Sequence, residues 1–240
     1  MPERAAIVTG ASSGIGLAIA RLLAEEGHAV TLAARRPEKL EQAAAGLEQA
    51  GHDVQAVAGN LGLEEDVQRV VAAHRERYGR LDVLVNNAGV GIGAPVGELE
   101  TKRVDLQLAT NLRSVILFYR ECRTMLAAAG AEHRGALVVN VASIAGKNGQ
   151  PWLSVYGATK AAIVNFSQAM DKELAPEGIK STALCPAFVD TAMADFVKER
   201  IPPENMIRTS DIAESVRFLL RLSPNCIVPE IVFARPDEGL

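Results

Sequence analysis

Short β-branched runs and longer segments of helical period alternate from one end of this 240-residue chain to the other. Ala5–Thr9, Ala29–Ala34, Val54–Val57, Asp82–Asn86, Ala136–Val141, Lys180–Cys185 and Ile227–Ala234 read as strands. Ile15–Glu26, Glu38–Ala50, Glu64–Tyr78, a long region at about 102–129, another at about 154–175, and Asp211–Leu222 read as helices. In the third of these, Val67, Val70, Val71, His74 and Tyr78 recur on one face at helical spacing. Strand–helix–strand units close by right-handed crossovers and bury a parallel sheet on both faces. The expected architecture is therefore α/β: a single domain over 1–240, doubly wound, with a parallel sheet of about seven strands and helices on both faces. Gly89–Gly97 and Gly146–Pro151 follow strands, at the edge where open α/β sheets bind ligands.

Composition narrows the function classes. Hydrophobic residues make up 48% of the chain, enough for a large core, which excludes global disorder. The formal net charge is −4 and no basic run occurs, which argues against nucleic acid as a partner. No apolar stretch approaches the about 20 residues of a membrane-spanning helix, and Met1–Arg4 leaves no room for a signal peptide before the first strand. Three widely spaced cysteines and four scattered histidines show no metal-ligand spacing, so no metal is expected. The cysteines fit a reducing cytoplasm.

The first strand runs into Thr9-Gly10-Ala11-Ser12-Ser13-Gly14-Ile15-Gly16 and then a helix. Glycines there let the backbone turn sharply and approach a pyrophosphate held at the helix N-terminus. A glycine triplet is a weak signal alone, since any tight turn uses glycine. Its position between a strand and a helix, at the start of an alternating chain, points to dinucleotide binding on a Rossmann-type sheet. Further along, Tyr156 and Lys160 share a helix face at i and i+4. A nearby ammonium favours a phenolate, which makes tyrosine a better proton shuttle at neutral pH. That pair alone also fits a core tyrosine beside a snorkelling lysine. Ser143, directly after the strand Ala136–Val141, opens on the same sheet edge and turns the balance towards chemistry.

The Gly-xxx-Gly-x-Gly spacing, Asn86-Asn87-Ala88-Gly89 after the fourth strand and Tyr156-x-x-x-Lys160 resemble the short-chain dehydrogenase/reductase family across almost the whole chain. The resemblance implies a catalytic set of Asn111, Ser143, Tyr156 and Lys160, with Tyr156 as acid/base, Ser143 orienting the substrate oxygen and Asn111 holding a water beside Lys160. It implies cofactor contacts from Gly10, Ser12, Ser13, Gly14, Ile15 and Gly16. Asn87, Ala88 and Gly89 would line a ribose, joined by Tyr156 and Lys160. In the family an acid after the second strand bonds the ribose 2′-hydroxyl. Here Ala34 stands in that place and Arg35-Arg36 follow. A guanidinium offers a fork of donors to a 2′-phosphate, which favours NADP(H). Asn60 replaces the usual adenine-binding Asp, with Leu61 offering its backbone. Pro186, Val189 and Thr191 match the family's carboxamide-binding stretch, with Ala187 where a glycine is usual. The chain closes on Pro229-Glu230-Ile231 where many members end in Asp-Gly-Gly.

The implied activity is an NADP(H)-dependent interconversion of a ketone or aldehyde and an alcohol by hydride transfer. A 3-oxoacyl reductase, an epimerase or a non-catalytic NADP(H)-binding regulator remains an alternative. Gly91–Pro95, Ile144, Trp152, Leu153, Phe188 and the segment Asp195–Pro203 of a substrate loop at about 187–210 are mostly apolar, pointing to an uncharged or lipophilic small molecule. The resemblance also implies a homodimer or homotetramer.

Overall fold

The computed structural model describes residues 2–133 and 135–236. Seven strands form one sheet: β1 (Ala5–Thr9), β2 (Ala29–Ala34), β3 (Val54–Ala58), β4 (Val83–Asn86), β5 (Ala136–Val141), β6 (Ile179–Pro186) and β7 (Glu230–Phe233). Their order is β3-β2-β1-β4-β5-β6-β7 and every pairing is parallel. The order reverses direction between β1 and β4, which opens a crevice at the carboxyl ends of those strands. β1 fixes the centre: Val8 lies opposite Leu32 on one side and Val85 on the other.

The central strands β1, β2, β4, β5 and β6 bury both faces, while the edge strands β3 and β7 are only partly covered; side chains alternate between two cores with a period of two. Ala6, Val8, Val83 and Val85 point to one layer, Ile7 and Leu84 to the other. The first layer is closed by α1 (Gly14–Glu25), α2 (Pro37–Gln49) and α7 (Thr209–Leu220), through residues such as Leu23, Leu40 and Val216. The second is closed by α3 (Glu64–Tyr78), α5 (Ser114–His133) and α6 (Ser154–Leu174), through Val70, Phe118 and Ile163. The face of α3 read from helical spacing is the buried one. Phe118 is fully enclosed, so trimming such a ring to alanine costs about 3–5 kcal/mol.

The long helix expected at about 102–129 is two helices. α4 (Thr101–Gln107) passes into a π-helical turn at 108–113 before α5 begins at Ser114. A π turn inserts a residue into the helical count and re-aims the side chains within it, and the period of the sequence carries no mark of so short an insertion. The last strand is Glu230–Phe233, shorter than Ile227–Ala234, because Pro229 cannot donate to the ladder. No described helix is long and apolar enough to cross a membrane, and no group of three or more His, Cys, Asp or Glu among the described residues could hold a metal ion.

Candidate active site

The crevice begins in the turn between β1 and α1. Gly10 and Gly14 take φ of +66° and +59°, a region that costs other L-residues about 1–2 kcal/mol. Space is short as well as conformation: a Cβ on Gly10 would lie 2.7 Å from Asn87 Nδ2. Gly16 sits beneath the turn, where a Cβ would come within 2.5 Å of the Gly10 carbonyl oxygen. Its work is to let helix and turn pack, while Ser12, Ser13, Gly14 and Ile15 line the cleft itself. Ser13, at the N-cap of α1, makes no side-chain capping bond. The first amides of α1 keep their capacity to bind an anion, and the helix dipole adds to it.

The far wall comes from β2, β3 and β4. Arg35, Arg36, Asn60 and Leu61 line the cleft, as do Asn87, Ala88 and Gly89. Both arginines are exposed, and neither has an acidic partner among the described residues. Asn60 Oδ1 receives a long 3.3 Å bond from the Gly62 amide, so its acceptor is partly committed to its own turn. Asn87 Nδ2 donates to the Thr9 carbonyl at 2.9 Å, tying the β4 loop to β1.

Two residues not singled out from the sequence complete this brace. Thr9 Oγ1 accepts from the amides of Asn87 and Ala88, at 2.9 and 3.0 Å, and donates to the Val85 carbonyl. Asp66 accepts from the Asn60 amide at 2.7 Å and also pairs with Arg69. Thr9 acts across the sheet, on residues more than seventy positions away, and Asp66 braces the turn after β3 from the first turn of α3. Val90 and Thr110 also line the cleft without having been anticipated, and Ala192 and Met193, expected in the substrate loop, line it too.

Next to this cradle lies a buried polar cluster. Ser143 follows β5 and caps the short turn 144–146, its Oγ accepting from the Ala145 amide at 3.2 Å. The same hydroxyl donates to the Pro186 carbonyl at a long 3.4 Å, a bond that a better acceptor would displace. Tyr156 and Lys160 lie on the first turns of α6, with the lysine Nζ 5.6 Å from the tyrosine ring centroid. Lys160 donates to the Val141 carbonyl at 2.7 Å, and burial pulls its pKa down to about 8. Burial pushes the Tyr156 hydroxyl above its ordinary value, and the Ser143 hydroxyl offsets part of that rise. Desolvation therefore sets the direction, opposite to the lowering expected from a neighbouring ammonium.

Asn111 comes from the π turn and is fully buried. Its Oδ1 accepts from the Val90 amide at 2.8 Å, and its Nδ2 donates to the Val90 carbonyl and Thr159 Oγ1. That side chain is engaged in holding the β4 loop against α6, rather than lying on a solvated helix face. Asn111 Oδ1 and Lys160 Nζ would lie 3.4 and 3.5 Å from a Cβ built on Gly89, so the two groups converge where that glycine leaves room. Val189 is buried in the α1/α7 core, and Thr191 Oγ1 donates to the Val189 carbonyl. Thr191 lines the nucleotide cleft and Pro186 offers its carbonyl to Ser143.

A parallel sheet with an anion-binding glycine turn at its switch point, beside a Ser–Tyr–Lys cluster whose tyrosine is partly open, defines the class as a Rossmann-type oxidoreductase. The chain belongs to the short-chain dehydrogenase family: the family model so described matches residues 4–202. It is therefore an oxidoreductase of the CH–OH/C=O type. A ketoacyl reductase assigned to the monensin polyketide synthase of Streptomyces virginiae is 41% identical over 198 residues, covering 82% of this chain and 75% of that protein. A point variant of the actinorhodin polyketide ketoreductase, solved with NADPH, superposes with a TM-score of 0.86 at 34% identity, over 96% of this chain and 94% of that one. The 3-ketoacyl-(acyl-carrier-protein) reductase of Brucella melitensis, solved with NADH, gives 0.87 at 30% identity, over 97% and 96%.

Proposed function

We propose that this protein is an NADP(H)-dependent oxidoreductase that interconverts a ketone or aldehyde and an alcohol, with Tyr156 as the acid/base. The observation that carries the reading is the meeting of the Ser143, Tyr156 and Lys160 side chains with the glycine turn at one sheet edge. Similar structures hold NADP, NADPH or an NADP derivative more often than NADH, and this chain's own residues point the same way. Arg35 and Arg36, exposed and without acidic partners among the described residues, follow Ala34, which carries no carboxylate to repel a 2′-phosphate. The uncapped first turn of α1 and the glycine cradle fit the pyrophosphate.

When bound, the nicotinamide cofactor supplies or accepts the hydride. Ser143 exchanges its long bond to Pro186 for one to the substrate oxygen and stabilises the charge that develops there. Tyr156 delivers its proton to the same oxygen in reduction and takes it back in oxidation. Lys160, anchored on the Val141 carbonyl, holds the ribose hydroxyls and brings positive charge to the tyrosine. Asn111, turned inward by the π turn, holds the Val90 backbone and would keep a water beside Lys160. The segment at about 187–210 covers the substrate.

The test is NADPH-dependent turnover of a carbonyl panel by the wild type and Tyr156→Phe. Loss of about 10²- to 10⁴-fold is expected in the variant with the fold intact; unchanged turnover would refute Tyr156 as acid/base. A second reading, reduction of a 3-oxoacyl group, is favoured by the names of the similar reductases, and a linear 3-oxo ester in the panel tests it. We further propose a homodimer or homotetramer in the cytoplasm. The supports are three free cysteines and the half-exposed Leu108 of the π turn and Ile116 of α5; light scattering decides the oligomeric state.

A further inference from the structure

Trp152 is the only described non-glycine residue at positive φ, +57°. An indole in that region is strained by about 1–3 kcal/mol and persists where surrounding structure over-determines it. Two contacts do so. The Ala94 amide donates to the Trp152 carbonyl at 2.8 Å, and the ring lies so close to Gly93 that a Cβ there would meet Cε3 at 2.1 Å. Yet the indole held at this cost is 48% exposed. It meets Phe196 edge to face, with centroids 5.7 Å apart and planes at 89°, and Phe196 meets Phe188 in turn at 6.3 Å. Phe196 and Met193 are 59% and 51% exposed.

This unusual cluster adjoins the reacting residues. A Cβ on Gly91 would lie 3.7 Å from the Tyr156 ring and 3.9 Å from Met193 Sδ, and two residues later Gly93 lies against the indole. The segment 91–93 therefore runs from the catalytic ring to Trp152 beneath a half-open apolar mouth. Lys198 is the sole cation within residues 188–199. It is held between Asp190 and Asp195, at 3.1 and 2.8 Å, and so is not free for an anionic head group.

We propose that Trp152 is the specificity-determining residue of this site and that, with Phe196 and Met193, it selects flat, apolar, ring-bearing ketones and alcohols. Two perpendicular aromatic faces and a polarizable thioether offer stacking and edge contacts that a ring fills and a flexible chain does not. Strain at Trp152 fixes the indole before the substrate arrives, so little ordering remains to oppose binding. The inference rests on the carbonyl-reductase reading and specifies its substrate class.

Trp152 is the only tryptophan in the chain, so its emission reports on this mouth directly. The wild type is titrated with 2-tetralone and with 2-octanone, correcting for absorbance, and NADPH-dependent kcat/KM is measured for both. Saturable quenching is expected at least about tenfold lower in concentration for the ring ketone, equivalent to about 1.4 kcal/mol. Phe196→Ala, which keeps the fluorophore, raises the half-saturating 2-tetralone concentration about fivefold or more. Trp152→Gly, which adopts φ +57° without strain, lowers the 2-tetralone to 2-octanone ratio of kcat/KM about tenfold. Equal quenching by both ketones, or a ratio that Trp152→Gly leaves unmoved, overturns the proposal. Turnover of both ketones with equal quenching leaves the reductase reading standing while ring selection falls. Selective quenching by 2-tetralone without turnover of either supports ring selection and counts against the reductase reading.

Discussion

Lys160, in its proposed place beside the cofactor ribose, shows what a buried ammonium costs when no described acid pairs with it. No described carboxylate pairs with it, and its pKa falls from 10.5 to about 8 through burial. Below about pH 8 the ammonium is charged in folded and unfolded chains alike, and the full desolvation penalty applies. Between about 8 and 10.5 the unfolded chain binds the extra proton, so this residue's penalty fades as pH rises. The interval corresponds to about 3 kcal/mol, less about 1 kcal/mol for the bond to Val141 that a substitution would forfeit. Lys160→Met is therefore expected to stabilise the apoprotein at pH 7 by about 2 kcal/mol, with most of that gain gone by pH 10. Urea unfolding at the two pH values checks this, and an equal gain at both would remove desolvation as the cause. Arg35 makes the complementary case at the surface. Arg35→Ala is expected to weaken NADPH binding about ten- to a hundredfold, as loss of a charge-assisted bond does, with little effect on NADH. Equal losses by titration would dismiss the 2′-phosphate assignment.

At the scale of elements, the site depends on how closely α6 and the turn after β5 approach each other. Gly146 sits where a Cβ would lie 2.6 Å from the Lys160 carbonyl carbon and 2.7 Å from the Ala161 nitrogen. Both are backbone atoms, so Gly146→Ala must move α6 away from Ser143. The expected result is a destabilisation of about 1–3 kcal/mol and a fall in kcat that exceeds any change in NADPH affinity. Melting, turnover and cofactor titration on one preparation check it; an unchanged kcat would mean that α6 can shift without disturbing Tyr156. The π turn at 108–113 acts on the same joint from the other side, turning Asn111 inward to hold Val90 and Thr159. A buried network lies below: Asn140 Nδ2 donates to Tyr119 and Ser167, and Asn86 donates to Asn140 Oδ1. It ties β4, β5, α5 and α6 into one block.

For the whole molecule, cofactor binding and stability are linked by mass action. A ligand at a hundredfold its Kd adds about 2.7 kcal/mol, which in a chain of this size raises the melting temperature by about 5–11 °C. Saturating NADPH is expected to produce a rise in this range, and Arg35→Ala to reduce it; no rise would contradict binding to the folded state. Much of this architecture is legible in the amino-acid order. Alternating strand and helix periods call for a parallel sheet covered by helices on both faces, and the glycine turn after the first strand points to the open, doubly wound form. The glycine turn, Arg35-Arg36 and the Tyr156/Lys160 spacing are local patterns, readable because each acts within a few residues along the chain. Thr9 bracing Asn87, Gly146 against Lys160, the inward turn of Asn111 and the strained Trp152 over Gly93 were decided only by the tertiary structure. In each of these the partners or the constraint come from packing between distant segments. Desolvation likewise arises only when the core closes, which is why burial, rather than the nearby lysine, sets the direction of the Tyr156 pKa.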